Sequence, residues 1–135
     1  MLVAGRHALK TRVLVDTSVW IEFIRFGNPQ LSQLLNDGEV LMHDMIVGEI
    51  ACGSASKRSE RLEVMNSLPK INRADHTEVL TFIDTHQLYG CGIGYVDNHL
   101  LAAVLLHGDC CLWSRDKRLF ATAKRLGIAF EPIAH

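Results

Sequence analysis

Apolar and polar positions change places along this chain in short blocks. Val13-Leu14-Val15 is a compact apolar run that ends at Asp16. That is the pattern of a strand buried on both faces of a parallel sheet. Thr17 or Ser18 can cap the helix that follows, predicted over Val19 to Arg25 and stopped by Gly27. A second helix fits Pro29 to Asn36, with proline at its start and Gly38 beyond its end. Val40 to Met42 reads as a second strand, and Asp44 as the cap of a third helix running to about Cys52. Residues 56–67 are charged and helical in pattern, and a further helix fits Asp75 to Leu88. After the glycine-rich turn Gly90 to Gly94, Asp97 opens an apolar helix that runs to His107. Cys110 to Trp113 is another short strand. Asp116 then opens an amphipathic helix with Leu119, Ala123 and Leu126 on one face, and Ile128 to Phe130 fits a last strand. Strands alternating with helices predict an α/β sandwich around a mostly parallel sheet.

Length and composition sharpen this picture without changing it. The chain has 135 residues, enough for one domain with a sizeable core. Residues 1–12 are expected to be a poorly ordered lead-in, and 13–135 the domain. With 48% hydrophobic and 21% charged residues, intrinsic disorder is excluded. The longest apolar run, Leu100 to Leu106, is far short of a bilayer span. The N-terminus has no apolar segment of the secretory kind. Cys52, Cys91, Cys110 and Cys111 form no CxxC pair, and are read as reduced core thiols of a cytoplasmic chain. Lys and Arg number 14 against 15 Asp and Glu, so no basic surplus announces a nucleic-acid binder.

Four carboxylates stand out by position. Asp16 follows the first strand, and ligands of open α/β sheets bind beyond such strand ends. Asp116 repeats that placement after Cys110 to Trp113. Glu49 has Met45, Ile46 and Ile50 as helical neighbours, so it is carried on an apolar helix. There it is a buried acid needing a counter-charge, unless it sits at the edge of the stripe and reaches solvent. Asp97 starts the apolar helix. Each Asp has a plain alternative as a helix cap. Together they suggest more, because four converging carboxylates would repel one another unless a cation joined them. Mg²⁺ and Mn²⁺ prefer such oxygen ligands and leave room for a substrate phosphate.

These segments are similar to the motifs of a known family. Val13 to Ile21, Gly48 to Gly53, Gly92 to Ala102 and Leu112 to Leu119 follow, in order, the motifs of the PIN-domain ribonucleases, and specifically of VapC-type toxins. Each motif alone is weak, but four in the right order are strong. The resemblance implies a three-layer α/β/α sandwich and a Mg²⁺- or Mn²⁺-dependent endoribonuclease. Its acidic quartet falls on Asp16, Glu49, Asp97 and Asp116, and its supporting hydroxyl on Ser114. It also implies a homodimer and a cognate VapB-type antitoxin that covers the site. Asn98 stands where the family commonly has a small residue.

Other features take second place. Gly90 to Gly94 lacks the spacing of a dinucleotide fingerprint, and no phosphate-binding GxxxxGK[ST] occurs. Asp16 could serve as the nucleophile of a phosphotransfer protein, although Ser18 stands where such enzymes usually carry a second Asp. A PIN-like nuclease outside a toxin role is a further alternative. Trp20, Phe23, Ile24 and Phe26 make the first helix apolar on more than one side, through core packing or through a dimer or antitoxin surface. Arg115, Lys117 and Arg118 flank Asp116 and are candidates for RNA phosphate contacts. Setting the acidic quartet aside leaves 14 basic residues against 11 acidic ones, so the charge balance does not exclude RNA.

Overall fold

A computed structural model of the chain describes residues 12–107 and 109–133. The expected lead-in lies outside these residues except for Arg12, which belongs to the first strand.

Strand β1 (Arg12–Val15) is the centre of the sheet. Val13, Leu14 and Val15 are fully buried, as a strand covered on both faces requires. It pairs in parallel with β2 (Val40–Leu41) on one side and β3 (Cys110–Trp113) on the other. The order is β2-β1-β3. The predicted final strand at Ile128 to Phe130 reduces to a single parallel bridge, Leu112 to Ala129. An unexpected bridge, Met42 to Lys70, extends the other edge.

Helices flank this sheet: α1 (Thr17–Phe26), α2 (Pro29–Asn36), α3 (Asp44–Ala51), α4 (Arg58–Ser67), α5 (His76–Thr85), α6 (Tyr95–His107) and α7 (Lys117–Arg125). Their boundaries have local causes. Gly27 adopts φ 77° at the end of α1, a conformation that suits glycine, and its N–H donates to the Phe23 carbonyl. Asn28 caps α2 by accepting from the Leu31 N–H at 3.0 Å. Asp75 and Glu78 form a reciprocal capping box on α5. That helix stops at Thr85, earlier than predicted, because Gln87 turns into the left-handed region at φ 55°. Leu88 is still buried, so its apolar character reflects the core and not the helix.

Two predicted caps are corrected. His43, not Asp44, caps α3, with its ring Nδ1 accepting from the Met45 N–H. Helix α6 begins two residues before Asp97, which therefore sits inside the first turn. That helix is the most enclosed in the molecule, with every residue from Asn98 to Val104 buried. Asn98 fits there because its side-chain amide donates to the Gly94 carbonyl at 3.0 Å.

The cysteines are free, and Cys110 and Cys111 pack against the core, whereas Cys52 and Cys91 do not belong to it. Cys52 is exposed at the end of α3, and the others are half-buried. Burial pushes the Cys110 thiol up to about 12, with the Asp109 charge adding to it, and the Cys111 thiol up to about 11. Burial thus favours the protonated thiol in both. Among the described residues no helix is long and apolar enough to cross a membrane.

Candidate active site

The site forms where β1 and β3 end side by side. Val15 is in register with Trp113, and the Asp16 N–H donates to the Trp113 carbonyl at 2.9 Å. Asp16 and Ser114 thus leave the sheet together. Asp16 occupies the cap position of α1, yet its side chain makes no capping bond. It turns instead to two hydroxyls. Ser114 Oγ donates to Asp16 Oδ2 at 2.7 Å, and Ser18 Oγ donates to the same oxygen at 2.8 Å. Each hydroxyl also accepts from the chain after β3. The Asp116 N–H donates to Ser114 Oγ, and the Arg115 N–H donates to Ser18 Oγ, both at 3.0 Å. Two relays therefore clamp the ends of β1 and β3 around one carboxylate, which is only 6% exposed.

The other acids approach from helices. Asp97 reaches back to accept from the Gly94 N–H at 3.1 Å, so this glycine amide fixes one of its oxygens. Asp116 does cap α7, as the plain reading supposed, with Oδ1 accepting from Arg118 and Leu119. Its other oxygen makes no such bond. Glu49 is exposed, which corrects the expectation of a buried acid. Ile46 and Ile50 carry the buried stripe of α3, and Glu49 lies at its edge. There its Oε1 accepts from Thr17 Oγ1 at 2.5 Å, which ties α3 to the start of α1.

The charges of the other three acids reach Asp97. The Asp97 carboxyl is pushed up from its ordinary value, first by burial and then by the charges of Asp16, Asp116 and Glu49. The Gly94 N–H works in the opposite direction. Asp97 thus feels all three other carboxylates, the mutual repulsion that a cation would relieve. The donor set is oxygen only, which suits Mg²⁺ or Mn²⁺. The spacing is open. Among the described residues, no three of these acids bring ligand oxygens within 4.8 Å of one another, whereas His107, Asp109 and Cys110 do so elsewhere. An open hard-ion site is consistent with Mg²⁺, which keeps several of its own waters.

The basic residues divide. Arg115 pairs with Glu22 of α1 at 3.2 Å. Arg118 lies across Gly92, where a side-chain carbon would come within 2.7 Å of it, so glycine leaves the room the guanidinium uses. Lys117 is exposed. Beside Glu49 a groove of about 450 Å³ opens, bordered by Ile21, Ile24, Arg25 and the 53–56 segment. Trp20 is core, Phe23 and Ile24 pack half-buried against it, and Phe26 is 82% exposed.

Thr17 and Ser18 are the residues sequence reasoning undervalued. As hydroxyl residues after a strand they read first as helix caps, and Ser18 also as the place where a phosphotransfer enzyme would carry a second Asp. The signal available was the Asp-Thr-Ser succession itself, which sets two donors beside an acid.

The sequence profile of the PIN domain matches residues 13–126. The chain belongs to the PIN-domain family. It is also similar to ribonuclease VapC32 of Mycobacterium tuberculosis, in strains CDC 1551 and H37Rv. In each case 41% of 117 residues are identical, covering 87% of this chain and 94% of the relative. This places the chain among the VapC-type PIN-domain ribonucleases. A general nuclease and toxin function follows from that membership.

Proposed function

We propose that this chain is the toxin of a type II toxin–antitoxin pair, a Mg²⁺- or Mn²⁺-dependent endoribonuclease of the cytoplasm. Its substrate would be a structured RNA, such as a tRNA, whose cleavage stops translation. The observation that carries this reading is the Asp16 carboxylate held by Ser18 and Ser114 where β1 and β3 end together, near enough to Asp97 that its charge, with those of Asp116 and Glu49, pushes the Asp97 carboxyl up. The name ribonuclease, borne by both VapC32 relatives, supports it.

Asp16, Asp97 and Asp116 would hold the ion, and Glu49 would hold it or orient the attacking water. The ion, when bound, neutralises the acids and makes water a better nucleophile toward the phosphodiester. The chain's own residues supply the aim. Ser18 and Ser114 fix the rotamer of Asp16, the Gly94 amide fixes Asp97, and Thr17 fixes Glu49. Arg115, Lys117 and Arg118 would draw RNA phosphates to the same edge. Arg115 can exchange Glu22 for phosphate at small cost, since an exposed ion pair contributes roughly 0–1 kcal/mol.

A VapB-type antitoxin would cover the groove beside Glu49 and a neighbouring apolar groove of about 320 Å³ that includes Phe23, Leu35 and Val64. A homodimer is part of the same proposal. The test is incubation of purified, antitoxin-free protein with total RNA, in Mg²⁺, in Mn²⁺ and in chelator, with the cut sites mapped. Discrete cuts that vanish in chelator are expected. Full cleavage in chelator would overturn the metal-dependent reading.

A further inference from the structure

The opposite end of the sheet carries a second set of ligand-type side chains. Helix α6 ends at His107, and β3 begins at Cys110, which pairs with Arg12 at the start of β1. Asp109 lies between them in sequence. One donor atom each from His107, Asp109 and Cys110 lie within 4.8 Å of one another. His107 Nδ1 and Asp109 Oδ1 are already 2.5 Å apart. Cys110 stands at the start of β3, whereas Ser114 follows its end. Strand rise puts about 10 Å or more between this trio and the acidic site.

We propose that His107, Asp109 and Cys110 form a second metal site, for a borderline transition ion of the Zn²⁺ class. The donor chemistry selects the ion. An imidazole, a carboxylate and a thiolate are the ligands Zn²⁺ takes at about 2.0–2.3 Å, whereas a sulfur ligand does not suit Mg²⁺ or Mn²⁺. Charge also balances, because a divalent cation is neutralised by one thiolate and one carboxylate. Binding forms a metal–sulfur bond and releases the Cys110 proton to solvent.

The geometry needs only a modest closure. Tetrahedral bonds of that length set neighbouring donor atoms roughly 3.3–3.8 Å apart, about 1 Å inside the present limit. Asp109 can supply this movement, since its side chain is 51% exposed. The same exposure gives the ion a path in. Three protein ligands leave the fourth position to water. Cys111 does not compete for it, because adjacent strand residues point to opposite faces. Its Sγ lies 3.8 Å from the Arg12 carbonyl instead.

The consequence is mechanical. The ion would tie the last turn of α6 to the first residue of β3. Asp97 sits on the same helix, about 15 Å away along its axis. The site therefore stabilises the helix that carries a proposed catalytic acid without touching the reaction.

Cobalt is the probe that tests this, because a thiolate bound to Co²⁺ gives a charge-transfer absorption that carboxylates cannot. Metal-stripped full-length chain titrated with Co²⁺ is expected to develop that band to one ion per chain, and Zn²⁺ is expected to displace it. Zn²⁺ should also raise the melting temperature, as any ligand specific for the native state does. Cys110→Ser should lose the band and the thermal shift, and Cys111→Ser should keep both. His107→Gln provides a second ligand variant if Cys110→Ser does not fold, and it should weaken the band. Absence of the band in the wild type, or its survival in Cys110→Ser, would overturn the proposal. Mg²⁺-dependent RNA cleavage by Cys110→Ser is expected to persist, so this site and the acidic site can fail separately.

Discussion

The two ends of the parallel sheet carry different chemistry. Where β1 and β3 stop, carboxylates gather and hydroxyls hold them: Ser18 and Ser114 donate to Asp16, and Thr17 donates to Glu49. Where β3 starts, an imidazole, a carboxylate and a thiol lie within 4.8 Å. The first set is hard, open and repulsive, and Asp97 registers that repulsion. The second is softer and tighter. One sheet thus offers two kinds of ligand set, separated by the length of a strand. The contrast teaches that the fold fixes position while the donor atoms fix which ion fits.

The comparison breaks most sharply at Asp16. Asp16→Asn keeps the shape and the hydroxyl contacts but removes the charge. RNA cleavage is expected to fall on the order of 10²–10³-fold or more in a gel-based rate assay. Cobalt binding at the Cys110 end is expected to be unchanged.

His43, at the N-terminus of α3 beyond the end of β2, is fully buried, with its Nε2 lacking a partner. Burial, helped by the Arg73 charge, lowers its value from 6.5 to about 4. The native state therefore holds His43 neutral while the unfolded chain takes up a proton. Its contribution is complete above pH 6.5 and declines as pH falls from 6.5 to 4. The loss is expected to be on the order of 2–3 kcal/mol. Urea unfolding at pH 7.5 and 5 measures it. His43→Asn, which retains a side-chain acceptor, should flatten that pH dependence.

A smaller effect is expected from Ser114→Ala. It removes one of two hydroxyl donors to a buried carboxylate, and should cost about 1–2 kcal/mol in denaturant unfolding. Cleavage should fall less than in Asp16→Asn, because Ser18 still holds Oδ2. The smallest effect belongs to Arg115→Ala. Stability should change by about 0–1 kcal/mol. RNA binding should weaken evenly across sequences, with the salt dependence reduced by about one ion.

Much of this was legible in the chain. The strands at 13–15, 40–42 and 110–113 announce themselves as short apolar runs, because a parallel sheet buries both faces. The bridge at Lys70 was not legible, since a single pairing next to Pro69 has no periodicity to read. Asp16, Asp97 and Asp116 could be located by strand ends and helix starts. Their side-chain directions could not, because an Asp at such a place caps in one case and turns to serines in another. Glu49 misled for a related reason. Its apolar neighbours describe the stripe through Ile46 and Ile50, while a long side chain at the stripe's edge is free to reach outward. The His107, Asp109 and Cys110 trio escaped notice because their spacing matches no common metal motif. Only the junction of α6 with β3 brings their donors together.

The most direct measurement compares wild type with Asp97→Asn in Mg²⁺-dependent cleavage of a total RNA pool, under identical metal titrations. The wild type should cut at discrete sites with a saturable Mg²⁺ dependence. Asp97→Asn should fold normally, lose that saturation and lose most of its cleavage. Equal cleavage by both proteins would contradict the claim that the four carboxylates act as one ion-binding site.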